Sequence, residues 1–180
     1  CKQYRIVPLI GSEFLVKWNE NTFLSVMLFA KNETGYQQLL RLLWIAWHRK
    51  EKNIFITVPE LFKYGKETVM VLDVTSILSS ISDRRTISFF DRIQQQWKND
   101  IYLEMKGTEK AKDIYLAAQR LQLPVVATWE VRCLEKKENM IANLLQSIKE
   151  ETVWDGKEIA DYVMRSEEEM KQLFSSFPEA

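Results

Sequence analysis

Two charged residues, Glu130 and Arg132, follow the most strand-like apolar run of the sequence. The run over residues 123–127 begins beside Pro124 and is rich in β-branched side chains, which predicts a buried strand. Alternate residues of a strand point to the same side, so the acid and the base should share a face. The spacing is that of a metal-ligating Asp-x-His pair, but a guanidinium has no lone pair for a metal ion. In barrels of parallel strands, catalytic groups gather at such strand ends.

The composition is that of a globular protein with one domain of ordinary size, since 46% of the 180 residues are hydrophobic and 28% are charged. The 25 basic and 25 acidic side chains cancel, so no overall positive field favours nucleic acid. Two cysteines, Cys1 and Cys133, are too few for a disulfide framework and favour a reduced, cytoplasmic protein. Neither a membrane span nor a signal peptide is predicted.

Strand-like and helix-like segments alternate along the chain, which favours an α/β fold with a mostly parallel sheet. Strands are predicted at residues 5–10, 13–17, 23–30, 54–56, 68–74, 101–105 and 123–130. Helices are predicted at residues 36–50, 58–62, 83–98, 108–122, 136–150 and 167–174. Asn32 should cap the first of these helices, and Ser166 with Glu169 should form a capping box on the last. We expect a single domain over residues 1–180, with residues 175–180 as a tail.

Four segments in order resemble one family. Residues 123–134 resemble the sequence Leu-Pro-Val-Val-Ala-Thr-Asn-Asp-Val-His-Tyr-Leu of the PHP (polymerase and histidinol phosphatase) domain in bacterial DNA polymerase III alpha subunits. Residues 8–14 resemble its Pro-Ile-Ile-Gly-Cys-Glu-Phe, and residues 28–39 resemble its Leu-Leu-Ala-Lys-Asn-x-x-Gly-Tyr-x-Asn-Leu. Residues 165–180 resemble its closing segment, from Lys-Ser-Pro-Glu-Glu-Met to Pro-Glu-Ala. The resemblance extends over essentially the whole chain.

The resemblance implies a distorted, TIM-like (β/α) barrel of the PHP type that is incomplete in this chain. The family's first strand, with a His-x-His pair and further ligands, should lie upstream of Cys1. The polymerase palm, with its catalytic aspartates, should lie far downstream of Ala180. The chain is therefore expected to be a piece of a longer product.

Intact members of the family bind a cluster of metal ions, and five of their ligand positions fall in this chain. Two are still acids, Glu13 and Glu130. The other three carry Ser25, Thr75 and Arg132 where the family has His, Cys and His. The resemblance thus implies a vestigial metal site without catalytic or cofactor-binding residues, and a divalent metal (Zn or Mn) only if the site is retained. Arg132 between Glu13 and Glu130 would replace the charge of the ion.

The function implied by the resemblance is a structural and docking role within a bacterial replicative DNA polymerase. Its partners would be the rest of the polymerase chain, other replisome proteins, and DNA through the parent enzyme. The nucleotidyl transfer of that enzyme would not reside in these residues. Two alternatives stay open: an active metal-dependent phosphoesterase or proofreading 3′–5′ exonuclease, which needs a water-activating metal centre, and a stand-alone interaction module without a polymerase.

The sequence also predicts where four further reactive or aromatic side chains lie. His48, the single histidine, should be a surface residue near a helix C-terminus, where a cation suits the helix dipole. Trp44 and Trp47 have the spacing of a base-stacking pair, but packing in the core or against the rest of a polymerase is the favoured interpretation. Cys133 is expected to be a small buried residue.

Overall fold

The structure, a computed structural model, describes residues 2–5, 7–49, 54–107, 110–156 and 160–177. Six strands form a single sheet: β1 (Gly11–Lys17), β2 (Phe23–Ala30), β3 (Ile56–Thr57), β4 (Thr68–Asp73), β5 (Ile101–Lys106) and β6 (Val125–Thr128). The α-helices are α1 (Glu33–His48), α2 (Val58–Tyr64), α3 (Arg84–Trp97), α4 (Ala111–Leu121), α5 (Asn139–Lys149) and α6 (Glu167–Leu173). Short 3-10 helices occur at Lys2–Tyr4, Thr75–Ser80 and Lys136–Glu138.

The strand order is β3-β1-β2-β4-β5-β6. The pairings β1–β3, β4–β5 and β5–β6 are parallel, whereas β2 runs antiparallel to both of its neighbours, β1 and β4. The α/β class and the mostly parallel sheet are therefore confirmed. Within the described residues the sheet is open and not a closed barrel, because β3 and β6 form its edges. These edge strands are short, so they present few backbone groups with which to close a barrel.

One face of the sheet is covered by helices. Alternate side chains of the central strands are fully buried there, as the period of two requires. They pack against the apolar faces of α1 to α4, and Phe174 beyond α6 joins the same core. Fully buried members of this core include Leu24, Leu28, Leu42, Leu61, Leu72, Phe90, Ile93 and Leu103. The other face of the sheet, which we call the open face, carries the polar side chains that concern function.

The helix starts follow the predicted caps. Asn32 Oδ1 accepts a 3.0 Å hydrogen bond from the Gly35 N–H at the start of α1. Gly35 is required there because a Cβ atom would lie 2.1 Å from the Glu67 carbonyl oxygen. At α6 the predicted capping box is present: the Glu169 N–H donates to Ser166 Oγ, and the Ser166 N–H donates to Glu169 Oε2 at 2.8 Å.

The predicted strand over residues 5–10 is wrong for the residues that the structure describes. Residues 7–10 have no regular structure, and the side chains of Val7 and Leu9 are about four-fifths exposed, at 80% and 79%. Pro8 has no N–H to donate to a ladder, and the last bond beside β1 joins the Ala30 N–H to the Ile10 carbonyl. Without a neighbouring strand, an apolar pattern alone does not form sheet.

Smaller differences concern element boundaries. The predicted strand at 54–56 is found as β3, Ile56–Thr57, and the helix predicted over 136–150 starts with a 3-10 turn before α5. The predictions at residues 6, 50, 108, 109 and 178–180 lie outside the described residues. None of the helices in the described part of the chain is long and apolar enough to cross a bilayer.

Candidate functional site

A row of polar side chains crosses the open face near one end of the strands. We define this polar row as Glu13, Ser25, Asp73, Glu104 and Thr128, from β1, β2, β4, β5 and β6 respectively. Strand pairing places Ser25 directly beside Asp73, which fixes the middle of the row. Five of the six strands contribute one member each, so the row depends on the register of those strands.

The first pair of the row joins two of the predicted site residues. Ser25 Oγ donates a 2.5 Å hydrogen bond to Glu13 Oε1. Ser25 lies opposite Leu15 in the ladder, so this is a diagonal contact between neighbouring strands. A hydroxyl thus holds the carboxylate that the family resemblance assigns to a metal.

Glu104 is the buried acid of the row. It is 2% exposed, and its Oε1 accepts a 2.6 Å hydrogen bond from the Thr128 hydroxyl. Burial raises the pKa of Glu104, and the nearby charges of Asp73 and Glu13 raise it further. The Thr128 hydrogen bond and Lys106, whose Nζ lies 3.7 Å from Glu104 Oε2, act against that rise. The site therefore favours a neutral carboxyl more than bulk water does.

Asp73 and Thr75 mark the end of β4. The Thr75 N–H donates a 2.8 Å hydrogen bond to Asp73 Oδ1, which closes a turn into the 3-10 helix Thr75–Ser80. Thr75 therefore contacts the polar row through its backbone.

Arg132 and Glu130 lie beyond the end of β6 and form an ion pair. Arg132 Nε and Nη2 donate to Glu130 Oε1 at 2.8 and 2.5 Å, and Nη1 donates to Gln146 Oε1 of α5 at 2.5 Å. The guanidinium also lies over the Tyr162 ring, 4.5 Å from its centroid. Arg132 therefore has the predicted contact with Glu130.

The predicted bridge from Arg132 to Glu13 is wrong. Among the described residues, no ion pair joins these two side chains, and Glu13 contacts Ser25 instead. The physical reason is that Gln146 and Tyr162 hold the guanidinium toward α5. The two carboxylates therefore have separate partners: Ser25 donates a hydrogen bond to Glu13, and Arg132 forms an ion pair with Glu130.

The donor set of the row does not match a multi-metal centre. Within residues 2–5, 7–49, 54–107, 110–156 and 160–177, no three His, Cys, Asp or Glu side chains converge as a metal site would require. The carboxylates instead accept hydrogen bonds from hydroxyl groups of Ser25 and Thr128. The vestigial site at Glu13 and Glu130 stays a prediction.

Sequence reasoning missed Asp73, Glu104 and Thr128. A signal was present for Glu104, because a lone acid interrupts the otherwise apolar run Ile-Tyr-Leu-Glu-Met-Lys. Such an acid is rarely buried unless it has partners. Those partners come from β4 and β6, and they cannot be assigned before the register is known.

The other singled-out side chains lie away from the row. His48 ends α1, and its Nδ1–H donates to the Trp44 carbonyl at 2.8 Å while the two rings stack. His48 is thus a surface residue, as predicted. Trp44 and Trp47 are 61% and 68% exposed, so neither side chain lies in the core that the described residues form. Cys133 is partly exposed, not fully buried as predicted. Partial desolvation of its thiol, together with the charges of Glu138 and Asp161, raises the pKa of that thiol.

A groove of about 870 Å³ lies elsewhere. Lys31, Thr68, Arg92 and Asp100 are among its lining residues, which places it at the start of β4 and β5. The polar row lies at the far end of those strands. The row is therefore separate from the lining of this groove.

No protein-family model matches the chain. The DNA polymerase III subunit alpha of Halalkalibacterium halodurans is 28% identical over 191 residues, which cover 100% of this chain and 17% of that protein. The subunit of Rickettsia prowazekii is 25% identical, over 98% of this chain and 16% of its own length. The subunit of Escherichia coli K12 is 28% identical, over 97% of this chain and 17% of its own length. The chain spans only 16–17% of these curated relatives.

Proposed function

We propose that this chain is a PHP-type part of a DNA polymerase III alpha subunit and acts in DNA replication as a structural and docking unit. The support is the similarity to alpha subunits over essentially the whole chain. The observation that carries the structural role is that carboxyl groups of the polar row are bonded within the protein. Ser25 donates to Glu13, Thr128 donates to Glu104, and Lys106 lies 3.7 Å from the other Glu104 oxygen.

On this proposal the row stabilises the sheet and has no hydrolytic chemistry. Glu104, which is buried and accepts the Thr128 hydrogen bond, is a satisfied buried group rather than a metal ligand. Arg132 places a positive charge where a metal-binding variant would have imidazole, and this charge repels a divalent ion. The rest of the polymerase chain, other replisome proteins, and DNA bound by the parent enzyme are the proposed partners.

The deciding experiment is to sequence the flanking gene. A downstream palm with paired aspartates supports the polymerase assignment. A stop codon directly after Ala180 contradicts it and favours a stand-alone interaction module. A hydrolysis assay separates the enzyme alternative: the chain is incubated with Zn²⁺ or Mn²⁺ and either a phosphate monoester or 3′-labelled DNA. Hydrolysis that Glu13→Gln abolishes would establish the phosphoesterase or exonuclease alternative instead.

A further inference from the structure

The groove at the start of β4 and β5 lies apart from the polar row and has no part in the proposed function. Its volume of about 870 Å³ is in the range of sites for small organic ligands, roughly 300–1,000 Å³. The charged side chains of its lining are four cations and two acids: Lys31, Lys66, Arg92, Lys98, Glu67 and Asp100. The groove is therefore positive, although the whole chain has a formal net charge of zero.

Both acids of the groove already have partners. Lys31 Nζ lies 2.5 Å from Asp100 Oδ2, and Asn32 Nδ2 donates a 2.9 Å hydrogen bond to Glu67 Oε2. Among the described residues, the other three cations of the lining form no ion pair with a carboxylate. The charge that is left to attract a ligand is positive, so the groove suits an anion.

The walls of the groove are joined by hydrogen bonds, and they fix the position of Arg92. Its guanidinium carbon lies 4.3 Å from the centroid of the Phe62 ring. A stacked guanidinium keeps its in-plane N–H groups available to oxygen acceptors. Gln96 Nε2 donates to the Phe62 carbonyl at 3.0 Å, and Trp97 Nε1 donates to Thr68 Oγ1 at 3.2 Å. These bonds tie α3 to α2 and to β4, so the groove is preformed.

Lys98 occupies a backbone position that favours glycine. Its φ and ψ are 52° and −110°, and the Asp100 N–H donates to the Trp97 carbonyl at 2.9 Å. These are the features of the first central residue of a type II′ turn, where a side chain is strained and glycine is preferred. The C-terminal carbonyl groups of α3 attract any nearby cation, but they do not require a lysine at the one position where the backbone opposes it. The strain is therefore evidence that the Lys98 side chain has a function.

We propose that this groove binds an anion that carries several linked phosphate groups. Lys66 follows α2, Arg92 belongs to α3, and Lys98 lies in the turn before β5, so the three cations contact separate phosphate groups of one ligand. Phosphate is favoured over carboxylate because each group offers more charge and more acceptor oxygens. This inference does not depend on the polymerase assignment.

Inorganic triphosphate is the probe, titrated into the 180-residue chain in a calorimeter at low salt and without divalent metal ions. One triphosphate should bind per chain. Lys66→Gln and Arg92→Gln should each weaken the affinity by about three- to fivefold, the usual effect of one exposed ion pair. Lys112→Gln is the matched control, because Lys112 is an exposed lysine of α4 outside the groove, and it should leave the affinity unchanged.

Lys98→Gly should have two opposite effects. The melting temperature should rise, because glycine relieves the backbone strain, and the affinity for triphosphate should fall about threefold, because one cation is lost. Gln122→Gly is the matched control, since Gln122 also has a positive φ, of 54°, and lies outside the groove. It should leave the affinity unchanged. A purely structural role of Lys98 would alter the melting temperature alone and would contradict the proposal.

Competitors identify the source of the phosphate groups. A nucleoside triphosphate or a single-stranded oligodeoxynucleotide should displace the probe, and the one that acts at the lower concentration names the source. A polyglutamate peptide of equal charge should compete more weakly than either. Absence of triphosphate binding, binding that the three groove variants leave unchanged, failure of both nucleotide competitors, or stronger competition by polyglutamate would each overturn the proposal.

Discussion

The Thr128 hydroxyl of β6 donates a 2.6 Å hydrogen bond to Oε1 of Glu104 on β5, a carboxyl group that is 2% exposed. This pair explains how an acid is accommodated in the sheet. The bond satisfies one carboxyl oxygen, and Lys106 lies 3.7 Å from the other. Burial nevertheless raises the pKa of Glu104, so its stability contribution must depend on pH.

Glu104→Gln should stabilise the protein at pH 7 and change little at pH 4. The folded-state pKa of Glu104 is raised, so the folded state binds a proton more tightly than the unfolded chain does. The unfolding free energy of the wild type therefore falls as pH rises from the ordinary carboxyl pKa through the raised one. A glutamine at this position does not titrate, so its contribution to the unfolding free energy does not change with pH. We expect the variant to gain on the order of 1 kcal/mol of unfolding free energy at pH 7. Urea melts at several pH values measure it.

Glu20→Gln, at an exposed position, is the control for that experiment and should leave the unfolding free energy nearly unchanged. If Glu104→Gln raised the unfolding free energy equally at pH 4 and pH 7, the burial argument would be contradicted. It would mean that the substitution acts through packing and not through charge.

Glu60→Gln should destabilise the protein at pH 7 by about 1–2 kcal/mol. Burial alone would raise the pKa of Glu60, but bonds from the Thr57 N–H and hydroxyl, together with the charge of Arg49, lower it. A lowered folded-state pKa gives stability that is present above the ordinary pKa and lost as pH falls through the lowered value.

Thermal melts between pH 2 and pH 7 test the Glu60 prediction. The difference between wild type and Glu60→Gln should shrink toward the acid end. Glu20→Gln, at an exposed position, is the matched control and should be nearly neutral. If the loss of stability in Glu60→Gln did not vary with pH, the charge of Glu60 would not be what stabilises the protein.

Arg132→Ala should loosen the link between the end of β6 and α5. The guanidinium contacts Glu130, Gln146 and Tyr162, and we expect a loss of about 1 kcal/mol because its side chain is 32% exposed. Arg132→Lys should recover only part of it, since an ammonium group cannot make the same forked and stacked contacts. Hydrogen exchange should rise in residues 139–149 and 160–163. Unchanged exchange there would refute the linking role.

Zinc or manganese titrated into the chain in a calorimeter should bind weakly or not at all. The reason is that the predicted ligand positions carry Ser25, Thr75 and Arg132 in place of imidazole and thiolate. Stoichiometric, sub-micromolar binding of two or more ions would reject the vestigial interpretation. Glu13→Gln should then abolish that binding if the predicted residues are the ligands.

Local signals in the sequence predicted much of this architecture. The apolar run of β2 and the caps at Asn32 and Ser166 are decided by neighbouring residues, so they were predicted well. The polar row was not, because Asp73, Glu104 and Thr128 meet only through strand register. The rotation of α5 was also beyond local reasoning. Its buried face is selected by hydrogen bonds between the side chains of Asn139 and Asn143 and the backbone of residues 160–162, about twenty positions along the chain.

The strand order has a consequence for biosynthesis. After the β1–β2 hairpin, each later strand except β3 joins the outer edge left by the one before it: β4 beside β2, then β5, then β6. A ribosome releases the strands in that same order, so each emerging strand meets an edge that is already folded. Helices α3 and α4 leave the exit tunnel between these strands and can cover each addition as it forms. We therefore expect this sheet to grow vectorially on the ribosome, with no need to wait for its last strand.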